Sequence, residues 1–260
     1  MSATDHVPRP FTLVLTDVVE STALAHHVGD ARNAALWDEH DRIARTLLAQ
    51  WNGLEVQRTD GLLALFDDPE SAFAFATAYR EALTAIQPPL ETRIGIHCGP
   101  VVVRRNPQEH VQRGAKPVEA DGLALSLTAR VAGMAGKAQI LATRQALSDP
   151  PPPSESVGHW QLKGHPDPLE VCEVRPHGPS VTPPDGDKAY RVVRDGDNWL
   201  PVREVPRALP AEWDRFVGRG EDLQALRDLV DGGARLVSVS GIGGTGKTRL
   251  VTHFAWRRLA

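Results

Sequence analysis

The first apolar positions form an unbroken run of strand length, residues 11–15 within FTLVLTDVVEST. Ser21 and Thr22 open a helical pattern that runs to about Trp51, with Leu36, Ile43 and Leu47 at helical spacing, and Asn52-Gly53 stops it. Residues 54–58 and 62–66 read as two strands joined by a tight turn at Thr59-Asp60-Gly61. Pro69 starts a second helix that ends near Pro88, with Ala72, Phe73, Ala76 and Tyr79 on one face. Residues 92–97 and 101–103 read as a strand pair broken at Cys98-Gly99-Pro100, and the charged stretch 104–121 as an exposed arm. Leu123, Leu127, Val131 and Met134 predict another helix. A short strand at 139–142, a rigid proline connection at 150–153 and a closing hairpin of 160–162 with 169–174 follow. The order β-α-β-β-α-β, with additions, is a ferredoxin-like α+β plan.

From 176 to 210 the composition shifts to Pro, Gly and Asp, which predicts a linker with one hairpin, 190–193 against 199–202. A new helix-strand pattern follows: a helix at 221–230, a β-run at 235–240, a Gly-rich loop and a last helix. The chain therefore divides into 1–175, a linker at 176–210, and 211–260, with no internal repeat.

Composition narrows the function classes. A net charge of −4 over 260 residues provides no global basic field for nucleic acid. Two cysteines, Cys98 and Cys172, make no disulfide framework and fit a reducing compartment. The opening MSATDHVPRP lacks an apolar signal core, and no apolar run approaches the ~20 residues of a membrane span. The expectation is a cytoplasmic protein with no membrane or nucleic-acid partner.

Two carboxylates mark strand ends: Asp17 after the first run and Asp60 in EVQRTDGLLALF. Carboxylates are hard oxygen ligands, and two brought together by a sheet suit the divalent cations of phosphoryl-type chemistry. Taken singly, Asp17 reads equally as a helix N-cap and Asp60 as a turn residue. A second signal, GIGGTGKT at 241–248, fits G-x-x-x-x-G-K-S/T through Gly241, Gly246, Lys247 and Thr248. Its glycines let backbone N–H groups close on phosphate, Lys247 supplies charge, and Thr248 can bind Mg²⁺. His26 and His27 lack partners at metal-ligand spacing and read as surface residues. His97 and Cys98 are neighbours in a strand, so they point to opposite faces and do not form a nucleophile pair.

Five segments in order resemble the catalytic domain of class III nucleotidyl cyclases across roughly residues 10–175. They are FTLVLTDVVEST, TDGLLALF, RIGIHCGPV, GLALSLTARVAGMAGKAQILAT and LKGHPDPLEVCEV. The resemblance implies an adenylate or guanylate cyclase that converts ATP or GTP to a cyclic nucleotide and pyrophosphate, with two Mg²⁺ or Mn²⁺ ions per site. Asp17 and Asp60 match the family's metal-binding aspartates, and Val18 is grouped with them. Residues 18–22 fall where a helix N-terminus would offer N–H donors to phosphate. Arg130, four residues after Ser126 and on its helix face, matches an arginine that contacts phosphate in the transition state. Lys163 matches a lysine that grips the terminal phosphates. In the family these groups come from the opposite protomer, which implies a head-to-tail homodimer.

The chain departs from the family at several places. Ser126 stands where active members carry asparagine. Thr59 replaces a glycine, and the hairpin has room for a one-residue deletion. The base-reading place therefore falls on Val56, Gln57 or Arg58, with Gln57 taken, and Glu119 occupies the other base-reading position. Near the C-terminus, FVGRGEDLQALRDLV resembles the opening of STAND-type signalling NTPases. The fold class is thus α+β: a ferredoxin-like class III nucleotidyl cyclase domain, a linker, and an incomplete α/β P-loop NTPase fragment. Because that fragment stops short of an acidic strand, Lys247 is expected not to support ATP hydrolysis here. The alternative to a working cyclase is a pseudo-cyclase that binds nucleotide or dimerises to control an attached NTPase.

Overall fold

The computed structural model describes residues 7–58, 60–175, 180–196, 198–202, 216–242 and 244–258. Thr59, Asp197, Gly243, the linker residues 176–179 and 203–210, and the following 211–215 lie outside the described residues.

Strand β1 (Arg9–Val18) lies between β3 (Leu62–Phe66) and β4 (Thr92–Arg105), antiparallel to both. With β2 (Leu54–Arg58) at the edge, these four strands run in the order β4-β1-β3-β2, as the ferredoxin-like plan requires. Beyond β4 the sheet continues through β6 (Ile140–Thr143), β8 (Leu169–Val174) and β7 (Ser154–Leu162). The hairpin β9 (Ala189–Asp195) and β10 (Asn198–Pro201) then adds to β7, so these residues extend the same sheet.

Each face of the sheet has its own helix layer. On one face, α1 (Ser21–Val28), α2 (Asp30–Gln50) and α3 (Pro69–Ala85) cover Val14, Val18, Phe66, Ile94, Ile96 and Ile140. On the other, Leu127, Val131 and Met134 of α5 (Leu123–Met134) pack on Leu141, Trp160, Leu162 and Val171. Strand alternation places Phe11 and Leu13 of β1 in a third cluster with Val56, Leu65, Val101 and Ala124. Gly95 allows the second layer to approach, because a Cβ there would sit 2.2 Å from the Ala132 nitrogen of α5.

Helix α3 forms as the sequence predicts. Pro69 sits in its first turn, Asp68 accepts a cap bond of 2.7 Å from the Ser71 N–H, and Ala72, Phe73, Ala76 and Tyr79 are buried. Five other expectations are corrected. The single helix from Ser21 to Trp51 is two, parted at Gly29, whose φ of 79° is outside the helical range. The buried stripe of α2 is Leu36, His40, Ala44 and Leu48, while Ile43 and Leu47 pack at its margin. Strand β4 runs unbroken through Cys98-Gly99-Pro100. Pro100 faces Pro10 across the ladder, at a pair that needs no N–H from either residue.

The arm at 104–121 is also folded. It holds a short helix α4 (Gln108–Val111) and β5 (Val118–Asp121), which pairs with the second half of β4. Finally, residues 236–240 form no strand. A lone apolar run has no ladder partner for its backbone groups, and Leu236 is left 87% exposed. Helices α6 (Gly220–Asp231) and α7 (Lys247–Arg258) join through Leu223, Leu226 and Leu250.

Candidate active site

The end of β1 and the tip of the β2–β3 hairpin meet through backbone. The Val18 N–H donates to the Asp60 carbonyl at 3.0 Å. Glycine makes this approach possible: a Cβ on Gly61 would lie 1.9 Å from the Thr16 carbonyl oxygen. Asp17 and Asp60 are thereby set on adjacent backbone segments, and Val18 lies between them with its side chain buried.

The Asp17 carboxylate is gripped by Arg93, its cross-strand partner on β4. Both contacts reach Oδ2, from Nε at 2.7 Å and from an Nη at 2.6 Å. Ser21 donates to Oδ2 of Asp60 at 3.4 Å. Oδ1 of each aspartate makes no hydrogen bond or ion pair among the described residues. Two carboxylates on backbone segments joined by the Val18–Asp60 bond, one with an arginine balancing part of its charge, are hard oxygen donors of the kind that Mg²⁺ or Mn²⁺ takes. The aspartates remain the only acidic donors at this point, since no group of three or more His, Cys, Asp or Glu gathers among the described residues. Further ligands would have to be water, backbone or phosphate oxygens.

The expected anion-binding stretch at 18–22 narrows. The Val18 and Val19 N–H groups are bonded to the Asp60 and Glu91 carbonyls, so they are not free donors. Helix α1 begins at Ser21, after Glu20 in a left-handed conformation and with no side-chain cap. The uncapped first-turn N–H groups that point outward are therefore those from Ser21 onward.

A second group forms on α5 and the β7–β8 turn. Arg130 donates to the Ser126 carbonyl at 2.9 Å, and a Cβ on Gly164 would lie 3.7 Å from an Nη of Arg130. The Arg130 Nε is buried with no hydrogen-bond partner among the described residues. Lys163, next to Gly164, is exposed and its N–H is tied to the Lys188 carbonyl. This cluster of donors and the Asp17–Asp60–Arg93 cluster share no hydrogen bond or ion pair among the described residues.

Gln57 and Glu119 line one cavity of about 420 Å³ with Val56, Leu63, Arg104 and Lys116. The structure separates the three candidates in β2. The β2–β3 register slips between Glu55 and Gln57, Val56 is buried among apolar side chains, and Arg58 turns to Asp41 on α2. Val56 and Gln57 both line the cavity, and of the two only Gln57 brings polar side-chain atoms to it. Glu119 is paired with Arg104 at 3.1 Å, and Arg104 also reaches Asp121 at 2.7 Å.

At the C-terminal loop, Lys247 is the first residue of α7. Its ammonium donates to the Gly241 and Ile242 carbonyls, both at 2.8 Å, while Gly246 and Thr248 are exposed.

Sequence reasoning missed Arg93 and Arg104. Arg93 opens RIGIHCGPV, but its role depends on the pairing of β1 with β4, separated by more than seventy residues. Arg104 reads as part of an exposed arm because its partner strand β5 is too short to announce itself in the sequence.

No known family profile and no curated protein matches the sequence. Among solved structures, the chain is similar to the adenylyl cyclase CyaB from P. aeruginosa. Identity is 16%, the match covers 65% of this chain and 95% of that one, and the TM-score is 0.59. It is similar to the guanylyl cyclase Cya2 at 22% identity, 67% and 98% coverage and a TM-score of 0.58. The guanylate cyclase domain of RhGC from Catenaria anguillulae, in complex with GTP, matches at 14% identity, 64% and 95% coverage and a TM-score of 0.56. At such identities the likeness is one of fold: about two thirds of this chain has the α+β fold of adenylyl and guanylyl cyclase catalytic domains. No helix among the described residues is long and apolar enough to cross a membrane.

Proposed function

We propose that this chain is a nucleotidyl cyclase acting in signal transduction. It converts ATP or GTP to the 3′,5′-cyclic nucleotide and pyrophosphate, and two copies assemble head to tail. The 3′-oxygen forms a bond to the α-phosphorus, the bond from that phosphorus to the β-phosphate oxygen breaks, and the hydroxyl proton passes to solvent. The observation that carries this reading is the meeting of Asp17 and Asp60 on adjacent backbone at the end of β1, within a fold shared with cyclase domains.

Asp17 and Asp60, with the backbone at Val18, would hold Mg²⁺ or Mn²⁺. When bound, such ions ease loss of the 3′-hydroxyl proton and offset charge on the departing pyrophosphate. Arg93 orients the Asp17 carboxylate and offsets part of its charge. Arg130 presents a planar fork of donors to the α-phosphate as charge shifts onto the leaving group. Ser126 supplies one hydroxyl donor to the sugar, and Lys163 a point charge to the terminal phosphates. Gln57 and Glu119 read the base from the cavity they share. The lack of any hydrogen bond or ion pair between the Asp17 and Arg130 groups among the described residues supports completion of each site by the second copy. Residues 211–260 are read as the start of a P-loop NTPase unit, with Gly241, Gly246, Lys247 and Thr248 as its phosphate loop; the expected linker at 176–210 is in part sheet, since its hairpin β9–β10 pairs with β7.

Incubation of the purified protein with Mn²⁺ or Mg²⁺ and each of the four ribonucleoside triphosphates, with products read by mass spectrometry, tests this. A cyclic product is expected, and it should vanish in Asp17→Asn and Asp60→Asn. Nucleotide binding with no cyclic product under any condition would overturn the reading in favour of a pseudo-cyclase.

A further inference from the structure

A buried polar chain runs beneath the two aspartates. His40, in the apolar stripe of α2, and Tyr79, on α3, are fully buried, and Thr16 on β1 is 2% exposed. The Tyr79 hydroxyl lies 2.6 Å from His40 Nε2 and 3.1 Å from Thr16 Oγ1. His40 Nδ1 lies 3.0 Å from Asp41 Oδ1, and the Leu62 N–H donates to Thr16 Oγ1 at 3.0 Å. The Arg58 guanidinium closes on Asp41.

The direction of every bond follows from protonation. Burial lowers the His40 pKa, so the ring is neutral, and burial raises that of Tyr79, so the phenol keeps its proton. A neutral imidazole has one donor and one acceptor nitrogen. Facing a carboxylate, Nδ1–H donates to Asp41, and Nε2 accepts from Tyr79. The Tyr79 oxygen accepts from the Thr16 hydroxyl, whose oxygen accepts from Leu62. Each buried donor in the series finds an acceptor.

A core network that merely satisfied a buried histidine would end within the core. This one ends at both sides of the same hairpin tip: Arg58 precedes Asp60 by two residues, and Leu62 follows it by two. Among the described residues the tip has few other ties. The β2–β3 ladder closes at Arg58↔Leu62, and the β1–β3 ladder ends at Leu15↔Leu63. At the next step the Leu62 N–H turns to a side chain, leaving Val18 N–H to Asp60 O as the neighbouring backbone bond.

We propose that Thr16, Tyr79, His40 and Asp41 are positioning residues: their hydrogen-bonded chain clamps the Asp60 hairpin against β1 so that Asp60 and Asp17 can share a divalent cation. This rests on the reading of those two carboxylates as metal ligands. The clamp acts from the face of the sheet covered by α2 and α3, through Thr16, while strand alternation turns Asp17 to the opposite face.

The test uses the full chain and two readouts besides turnover. One is binding of Mn²⁺ alone, followed by electron paramagnetic resonance. The other is hydrogen exchange of the Leu62 amide relative to the amides farther along β3, a ratio insensitive to overall stability. Thr16→Val and Tyr79→Phe should weaken Mn²⁺ binding and raise the exchange ratio, each about tenfold, the effect of one lost buried hydrogen bond. Thr16→Ser, which keeps the oxygen, should stay within about twofold of the parent. Leu83→Ala, a cavity one turn along α3, should lower the melting temperature and leave both readouts unchanged.

Parent-like Mn²⁺ binding and exchange in Thr16→Val and Tyr79→Phe would overturn the proposal. So would equal losses in Leu83→Ala, or Mn²⁺ binding in the parent that Asp60→Asn does not reduce. If Thr16→Val weakens Asp60-dependent Mn²⁺ binding but no protein makes a cyclic nucleotide, the clamp stands and the cyclase reading falls.

Discussion

Replacing Gly61 by alanine tests the geometry on which the site depends. The new Cβ would sit 1.9 Å from the Thr16 carbonyl oxygen, 2.6 Å from its carbon and 2.9 Å from the Asp17 Cα. All three are backbone atoms, so no side chain can swing aside. An ordinary carbon–oxygen contact is about 3.3 Å, so the hairpin tip must retreat from β1 by more than about 1 Å. Two bonds of 3.0 Å cross that gap, from Val18 N–H to Asp60 O and from Leu62 N–H to Thr16 Oγ1. Losing both, each worth about 1 kcal/mol net, with residual crowding, predicts a destabilisation of about 2–4 kcal/mol. Under the proposed role of Asp60 as a metal ligand, a shift of that size should lower cyclisation about 100-fold. Urea melts and initial rates of cyclic-nucleotide formation measure the two effects. A Gly61→Ala protein with parental stability and parental rate would show that hairpin and strand are not packed as described.

Arg93→Ala should change stability by less than about 0.5 kcal/mol, because the Asp17–Arg93 pair is more than a third exposed and solvent screens it. Its cyclisation rate should still fall about 100-fold; loss of stability without loss of rate would refute a site role. Ser126→Asn should raise turnover at least tenfold with the melting temperature within a few degrees, and an unchanged rate would remove position 126 from the chemistry. His97 is 2% exposed, and burial lowers its pKa to about 4, with His165 adding a smaller repulsion. Its pKa is lower folded than unfolded, so stability is full above about pH 6.5 and is lost as pH falls toward 4. By about pH 4.5 the loss should be about 2 kcal/mol in urea melts, and His97→Gln should remove that part of the pH dependence. A slope unchanged in the variant would show that His97 is not buried neutral.

The two carboxylates could be picked out before any fold was known, because Asp17 ends one strand-length apolar run and Asp60 sits in the turn before another at 62–66. Their meeting could not. It depends on β1 pairing with β3 in a register that stops one step short of Thr16, and on a missing side chain at Gly61. The continuity of β4 was hidden because Gly99 and Pro100 break strands when read locally, whereas a facing proline makes the break unnecessary. Residues 236–240 show the opposite case. Their apolar run reads as a strand, yet among the described residues no neighbouring strand accepts its hydrogen bonds. The polar chain under the site left the faintest trace. His40 interrupts an apolar stripe, and only the packing of α2 on α3 shows that Tyr79 and Thr16 are waiting for it.

Local order and candidate chemistry were therefore written in the chain itself: the periodicity of α3 and α5, the apolar core of β1, and the identities of Asp17, Asp60 and Arg130. Those features need only near neighbours, since helical and strand repeats span a few residues. The tertiary structure decided which groups act together. Arg93 joins Asp17, Arg104 joins Glu119, Gln57 rather than Arg58 lines the cavity with Glu119, and Arg58 and Leu62 tie the hairpin to a buried chain. Hydrogen bonds and ion pairs act over about 3 Å, and residues far apart in sequence come within that reach only once strand register and helix packing are set.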